Sequence, residues 1–189
     1  MKAEQALARL GLTLPEPMAP MGAYVPTRQV GDLLFVSGQG PRLDGDLQCR
    51  GKVGRDLTVE EGYAAARLVM LNCLSQVKAA LGDLDRVAQV VKVLGFVNAP
   101  EGFRETPKVL NGASELLLAI YGEAGRHARS AIGVAALPSD IAVEIEMVVQ
   151  VRPPRVARAG RLRPSPARIP MRKARRPVSR GTRPARPRR

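Results

Sequence analysis

The chain has 189 residues and a formal net charge of +13, but residues 152–189 hold fourteen arginines, one lysine and no acid, leaving residues 1–151 with fifteen basic and seventeen acidic groups, a net of −2. A basic nucleic-acid-binding domain is therefore excluded for the first 151 residues, and no apolar run reaches the length that spans a bilayer. Cys49, Cys73 and the single histidine, His127, are too few and too scattered for a zinc site, a Cys/His dyad or a disulfide framework, so no metal is expected.

Taken in order, Ala3, Ala6, Leu7 and Leu10 recur at helical spacing, and Gly11 can end that helix. Glu4 and Arg9 interrupt the first fourteen residues, so they do not read as a signal peptide, and the expected compartment is the cytoplasm. Residues 14–20 hold three prolines and read as an extended connector. Residues 24–29 and 33–37 read as strands around a Gly31-Asp32 turn, and Asp44-Gly45 marks another turn.

Thr58 followed by Glu61 is a capping box, and the spacing of Leu68, Leu71, Ser75 and Leu81 predicts a helix over 59–81 that Gly82 terminates. Residues 87–97, rich in valine, predict a buried strand. Thr106-Pro107 opens a second long helix, with threonine as the cap and proline at the first helical position. Ala113, Leu116, Leu117, Ile120 and Tyr121 supply its buried face, and Gly122 stops it. Asn111-Gly112 is poor helix chemistry, which points towards function because sites are where propensity rules break.

Residues 126–146 contain two β-type runs around Leu137-Pro138-Ser139-Asp140. The first carries Arg129, and the second alternates Glu144 and Glu146 against Val143, Ile145 and Met147, the period of a strand with one apolar face. Were these runs a plain hairpin, Arg129 would lie roughly 17 Å from Glu144, too far for one small ligand. Either the runs are not directly paired, or different subunits complete a site.

Beyond residue 151 the chain holds eight of its sixteen prolines and no apolar period, so 152–189 reads as a disordered basic tail. Fifteen cations could give salt-dependent, sequence-independent binding to nucleic acid. Yet the tail has no aromatic residue to stack on bases, and its arginine bias of fourteen to one departs from the ten to five of the domain, as an appended coding end would. The expected organisation is an N-terminal helix and proline-rich connector over 1–20, a domain over 21–151 and the tail over 152–189. The element order predicts an α+β fold, a mixed sheet with two long helices on one face, whose bare face argues for association.

Arg129-Ser130, Val134, Leu137-Pro138 and Val143-Glu144-Ile145-Glu146, with Gly22-Ala23-Tyr24-Val25 and Ser37-Gly38-Gln39 ahead of them, resemble the signatures of the RidA (YjgF-type) family of imine deaminases, over residues 14–151. That resemblance implies a chorismate-mutase-like fold, a homotrimer with ligand clefts between subunits, and no cofactor. It implies a pocket lined by Tyr24, Ser37, Gly38, Asn111, Arg129, Ala131 and Glu144, with Arg129 and Glu144 catalytic. Ala131 stands where the family often has cysteine. His127 reads as a surface or interface residue.

These residue types suit hydrolysis of a 2-imino or enamine acid to a 2-keto acid and ammonia. An arginine fork holds the carboxylate, and a glutamate manages the protons of water and ammonia. The alternative is a trimer of the same fold that binds small carboxylates, or regulates, without turnover.

Overall fold

The computed structural model describes residues 3–153. All but the first two residues of the expected tail lie outside them.

Helix α1, Ala3–Arg9, buries Ala3, Ala6 and Leu7 and is closed by Gly11 at φ 66°. The connector that follows is held by polar side chains of the next helix. The Ser75 hydroxyl donates to the Pro15 carbonyl (2.7 Å), and the Gln76 amide donates to that of Met18 (2.8 Å). That helix, α2, spans Val59–Leu81. Both halves of its capping box are present, Glu61 N–H to Thr58 Oγ1 at 3.1 Å and Thr58 N–H to Glu61 Oε2 at 2.7 Å, and Gly82 ends it in the left-handed region.

Helix α3, Thr106–Tyr121, has Pro107 in its first turn, but Glu105 occupies the cap and Thr106 does not cap. The Thr106 hydroxyl donates instead to the Ala131 carbonyl at 3.1 Å, a buried tether that withdraws it from the helix end. Gly112 also has a packing explanation. A Cβ there would lie 2.1 Å from the Tyr63 carbonyl oxygen, so the residue lets α3 approach the α2 backbone.

One mixed sheet is built from β1 (Thr27–Val30), β2 (Leu33–Gln39), β5 (Val87–Asn98), β6 (Ala128–Val134) and β7 (Val143–Val151) in the order β1-β2-β7-β5-β6. Only β5 and β6 run parallel. Residues 42–47 form a separate small ribbon of β3 (Arg42–Leu43) and β4 (Asp46–Leu47). The first strand starts later than expected because Pro26 lacks an N–H, and Tyr24 sits in a bend before it.

Val143, Ile145, Met147 and Val149 are each 2% exposed or less and face the helices, packing into one core with Met70, Leu74, Leu110 and Leu117. Truncating one of these large side chains to alanine typically costs about 2–5 kcal/mol. Opposite the helices, Phe35 and Ile132 remain 44% and 45% exposed on the bare face.

The two C-terminal runs do not form a hairpin, since β5 lies between them. The chain crosses from β6 to β7 through a turn at Pro138–Asp140, where Ser139 and Asp140 both have φ 56°. That crossing is anchored by Asn98, whose amide donates to Asp140 Oδ1 (2.9 Å) and whose carbonyl oxygen accepts from Lys52 Nζ (2.9 Å). Lys52 also donates to the Ala135 carbonyl.

Candidate functional site

Arg129 stands on β6, the edge strand, with its side chain on the helix-covered face. Nη1 donates to Asn111 Oδ1 (2.9 Å) and to Ser114 Oγ (3.0 Å), and Nη2 donates to the Pro107 carbonyl (3.3 Å). All three acceptors belong to α3, so the helix that Thr106 ties to β6 also sets the guanidinium. A guanidinium has five N–H donors. The Nε–H and one Nη2–H keep no partner among the described residues, a free pair on a half-buried, pre-oriented fork. Asn111 thus joins Arg129, and Ala131 lies two residues further along the same face of β6, backing onto the core.

Glu144 belongs to a different cluster. It is half-buried on the face of β7 away from the helices, directly over Gly38. A Cβ at Gly38 would stand 2.1 Å from Glu144 Oε1, so glycine is required for the carboxylate to rest there. Gly38 and Ser37 occupy an irregularity of β2, where Val36 pairs with Met147 but Gln39 pairs with Ile145. Such bulges re-aim side chains. Burial pushes the Glu144 carboxyl above the usual glutamate range, and the negative charge of Glu146 adds to that. No hydrogen bond or ion pair to another described residue offsets the burial.

Ser37 Oγ donates to the Val25 carbonyl (2.8 Å), which pins the bend carrying Tyr24. Tyr24 is 51% exposed. With Gly38, Gln39 and Arg42 it lines a small cavity under Met18, Pro20 and Met21 of the connector. Tyr24, Ser37, Gly38 and Glu144 therefore form one group, and Arg129, Asn111 and Ala131 another.

Within one chain the two groups do not meet. Arg129 is level with Val93 of β5, and Glu144 with Phe96. The offset is three residues along the strands and two strands across, about 14 Å. Because three is odd, the two side chains also point to opposite faces.

Two residues beside Arg129 carry no functional signal in the sequence. Ser114, one helical turn from Asn111, accepts from the arginine. Its hydroxyl also lies 3.0 Å from His127 Nε2, while His127 Nδ1 lies 2.7 Å from the Gly125 carbonyl. His127, expected at the surface or an interface, is half-buried against α3. Ser114 does stand at i+3 from Asn111 on α3, a spacing that shares a helix face without by itself pointing to function.

Comparison with known proteins agrees with this architecture. A family model described as "YjgF/chorismate_mutase-like, putative endoribonuclease" matches residues 4–148. Protein TCP17 of Trypanosoma cruzi is 50% identical over 146 residues, covering 77% of this chain and 91% of that protein. A crystal structure described as a putative endoribonuclease from Shewanella oneidensis MR-1 shares 42% identity with a TM-score of 0.78, covering 80% of this chain and all of that one. The YjgF gene product of E. coli shares 28% identity with a TM-score of 0.53, over 74% of this chain and 96% of that one. With the family match spanning most of the domain and the mixed sheet and helices in place, the chain belongs to the YjgF (RidA) family and has its chorismate-mutase-like fold.

Proposed function

We propose that the protein hydrolyses reactive 2-imino and enamine acids to 2-keto acids and ammonia, in clefts shared between copies of the chain in a homotrimer. The observation that carries this reading is the Arg129 guanidinium, held by three acceptors of α3 and left with two donors that have no partner among the described residues. Two parallel N–H groups match a carboxylate, and each charge-assisted bond is worth about 1.5–3 kcal/mol when shielded.

The substrate's C=N carbon would then lie next to the Glu144 group of a neighbouring copy. Glu144, as the carboxylate, takes a proton from water as the water oxygen bonds to C2, and passes it to the imine nitrogen to give a carbinolamine. It then takes the hydroxyl proton as the C=O forms and delivers that proton to the nitrogen as the C–N bond breaks and ammonia leaves. A carboxyl raised by burial is suited to both steps, since proton transfer is most efficient when the group's own pKa approaches the working pH. Tyr24 and Ser37 would hydrogen-bond substrate or water, and an edge-strand backbone N–H near Ala131 would supplement Arg129. Residues 1–20, 21–151 and 152–189 are proposed as an N-terminal helix with its proline-rich connector, a RidA-like domain and a basic tail, with nucleic acid not part of the reaction.

The test generates 2-iminopropanoate with an amino-acid oxidase and follows its loss by semicarbazide trapping. Purified protein should speed the loss, and both Arg129→Ala and Glu144→Gln should abolish the effect. If each cleft takes Arg129 from one copy and Glu144 from the next, equal amounts of the two inactive variants, unfolded and refolded together, should regain about a quarter of the wild-type sites. Equal imine loss with wild type and Arg129→Ala would remove this function. Retained 2-ketobutyrate binding without turnover would favour the non-catalytic carboxylate-binding alternative.

A further inference from the structure

We infer that Ser114 and His127 are positioning residues for Arg129, a two-member relay that turns the serine hydroxyl into a fixed acceptor for the guanidinium. The inference rests on the reading of Arg129 as a carboxylate clamp and adds what holds the clamp in register.

The chain of contacts has one consistent direction. The Gly125 carbonyl can only accept, so the proton of a neutral imidazole sits on His127 Nδ1, 2.7 Å from it. Nε2 is then a lone pair, and its partner among the described residues, 3.0 Å away, is the Ser114 hydroxyl, which must donate. With its hydrogen aimed at His127, Ser114 Oγ turns its lone pairs towards Arg129 Nη1, also 3.0 Å away. Burial holds the imidazole below its ordinary pKa, and the nearby Arg129 cation works in the same direction against a partial opposition from the Gly125 carbonyl, which keeps the neutral form in place.

A serine inside a helix otherwise donates to the carbonyl four residues back, here that of Leu110, and its orientation towards a neighbour is then lost. His127 removes that choice. It sits two residues before Arg129, just ahead of β6, and both side chains reach Ser114 of α3. Asn111 and Ser114, one turn apart, meet them there. Asn111 offers a carbonyl oxygen to the same Nη1 and needs no such help, which is why the serine alone has a second partner.

Substitutions separate the relay from simple packing. Glutamine places an acceptor oxygen near the position of Nε2, whereas asparagine reaches only as far as Nδ1. With 2-ketobutyrate as the probe and calorimetry on the full chain, Ser114→Ala and His127→Asn should each weaken binding by about three- to tenfold, the loss of one neutral hydrogen bond. His127→Gln should stay within about twofold of wild type, and the Ser114→Ala/His127→Asn pair should bind no worse than Ser114→Ala alone. Because the chain has one histidine, a nitrogen-15 imidazole spectrum contains a single ring. It should show the Nδ1–H tautomer in wild type.

Equal losses for His127→Gln and His127→Asn, multiplying losses in the double variant, or an Nε2–H ring would overturn the relay. Unchanged binding in Ser114→Ala and His127→Asn alongside lost binding in Arg129→Ala would sink the relay and spare the clamp. Unchanged binding in Arg129→Ala would sink the clamp itself, and the relay with it.

Discussion

Gly38→Ala is the sharpest probe of the Glu144 group. The new Cβ would stand 2.1 Å from Glu144 Oε1, 3.0 Å from Cδ and 3.2 Å from Cγ. Ordinary contact needs about 3.4 Å or more, so the carboxyl oxygen must retreat by about 1.3 Å. Gly38 is not in the left-handed region, so its backbone accepts alanine and the contact alone sets the outcome. Glu144 is half-buried and can swing towards solvent, which puts the stability loss near the lower end of the overpacking range, about 1 kcal/mol. Function should suffer far more, since a displacement of about 1 Å in a catalytic group can lower the rate roughly 100-fold, or about 2.7 kcal/mol of barrier. Imine turnover and thermal melting of the same preparation check both. Wild-type kcat/KM in a folded Gly38→Ala protein would refute the placement of Glu144 at the reacting atoms.

Gly112→Ala tests the packing explanation for the glycine in α3. In an open helix alanine would gain about 1 kcal/mol over glycine. Here its Cβ would meet the Tyr63 carbonyl oxygen at 2.1 Å, a backbone atom that cannot swing aside. A cost at the top of the overpacking range, about 3 kcal/mol, less that gain leaves a net loss of about 2 kcal/mol, lowering Tm by roughly 4–8 °C, and a rise in Tm would refute the close approach. Glu144→Gln tests the burial of the carboxyl. Its folded pKa lies above its unfolded one, so the associated stability is present in full below the unfolded pKa and is lost as pH rises through the folded value. The variant should therefore melt higher than wild type at about pH 8, with the gap closing near about pH 4. Equal melting at both would refute the desolvation.

What was legible in the sequence was what is local. Thr58, Glu61 and Gly82 bound α2 because capping is decided within four residues. The alternation over 143–149 named the buried face of β7 because side chains alternate regardless of neighbours. Strand order was not legible. That β5 separates β6 from β7 depends on a parallel pairing across a helical crossover, to which nothing in residues 126–146 responds. Thr106 failed as a cap for a related reason, since a partner on a distant strand outcompeted the helix end. Gly112 looks like a flaw in α3 from the sequence, and its cause is the Tyr63 backbone of another helix. Asn111 and Arg129 were found through resemblance, and their contact became visible only once α3 lay over β6.

The separation of the two groups follows from the core itself. Arg129 faces the helices because it shares a register row with buried Val93, and Glu144 faces away because it follows buried Val143. Bringing both to one face within a chain would need a one-residue slip of β6 or β7. In β7 that slip would expose Val143, Ile145, Met147 and Val149 together, at a loss of roughly 1.5–3 kcal/mol for each side chain, about the whole stability of a domain this size. No substrate contact could offset that. A second copy meets the requirement without any such loss. Arg129 lies on an edge strand, open on the side away from β5, and the Glu144 group lies on the uncovered side of the sheet where Phe35 and Ile132 are still exposed. The proposed cleft between copies is therefore the arrangement in which the hydrophobic core and the chemistry make compatible demands on the same strands.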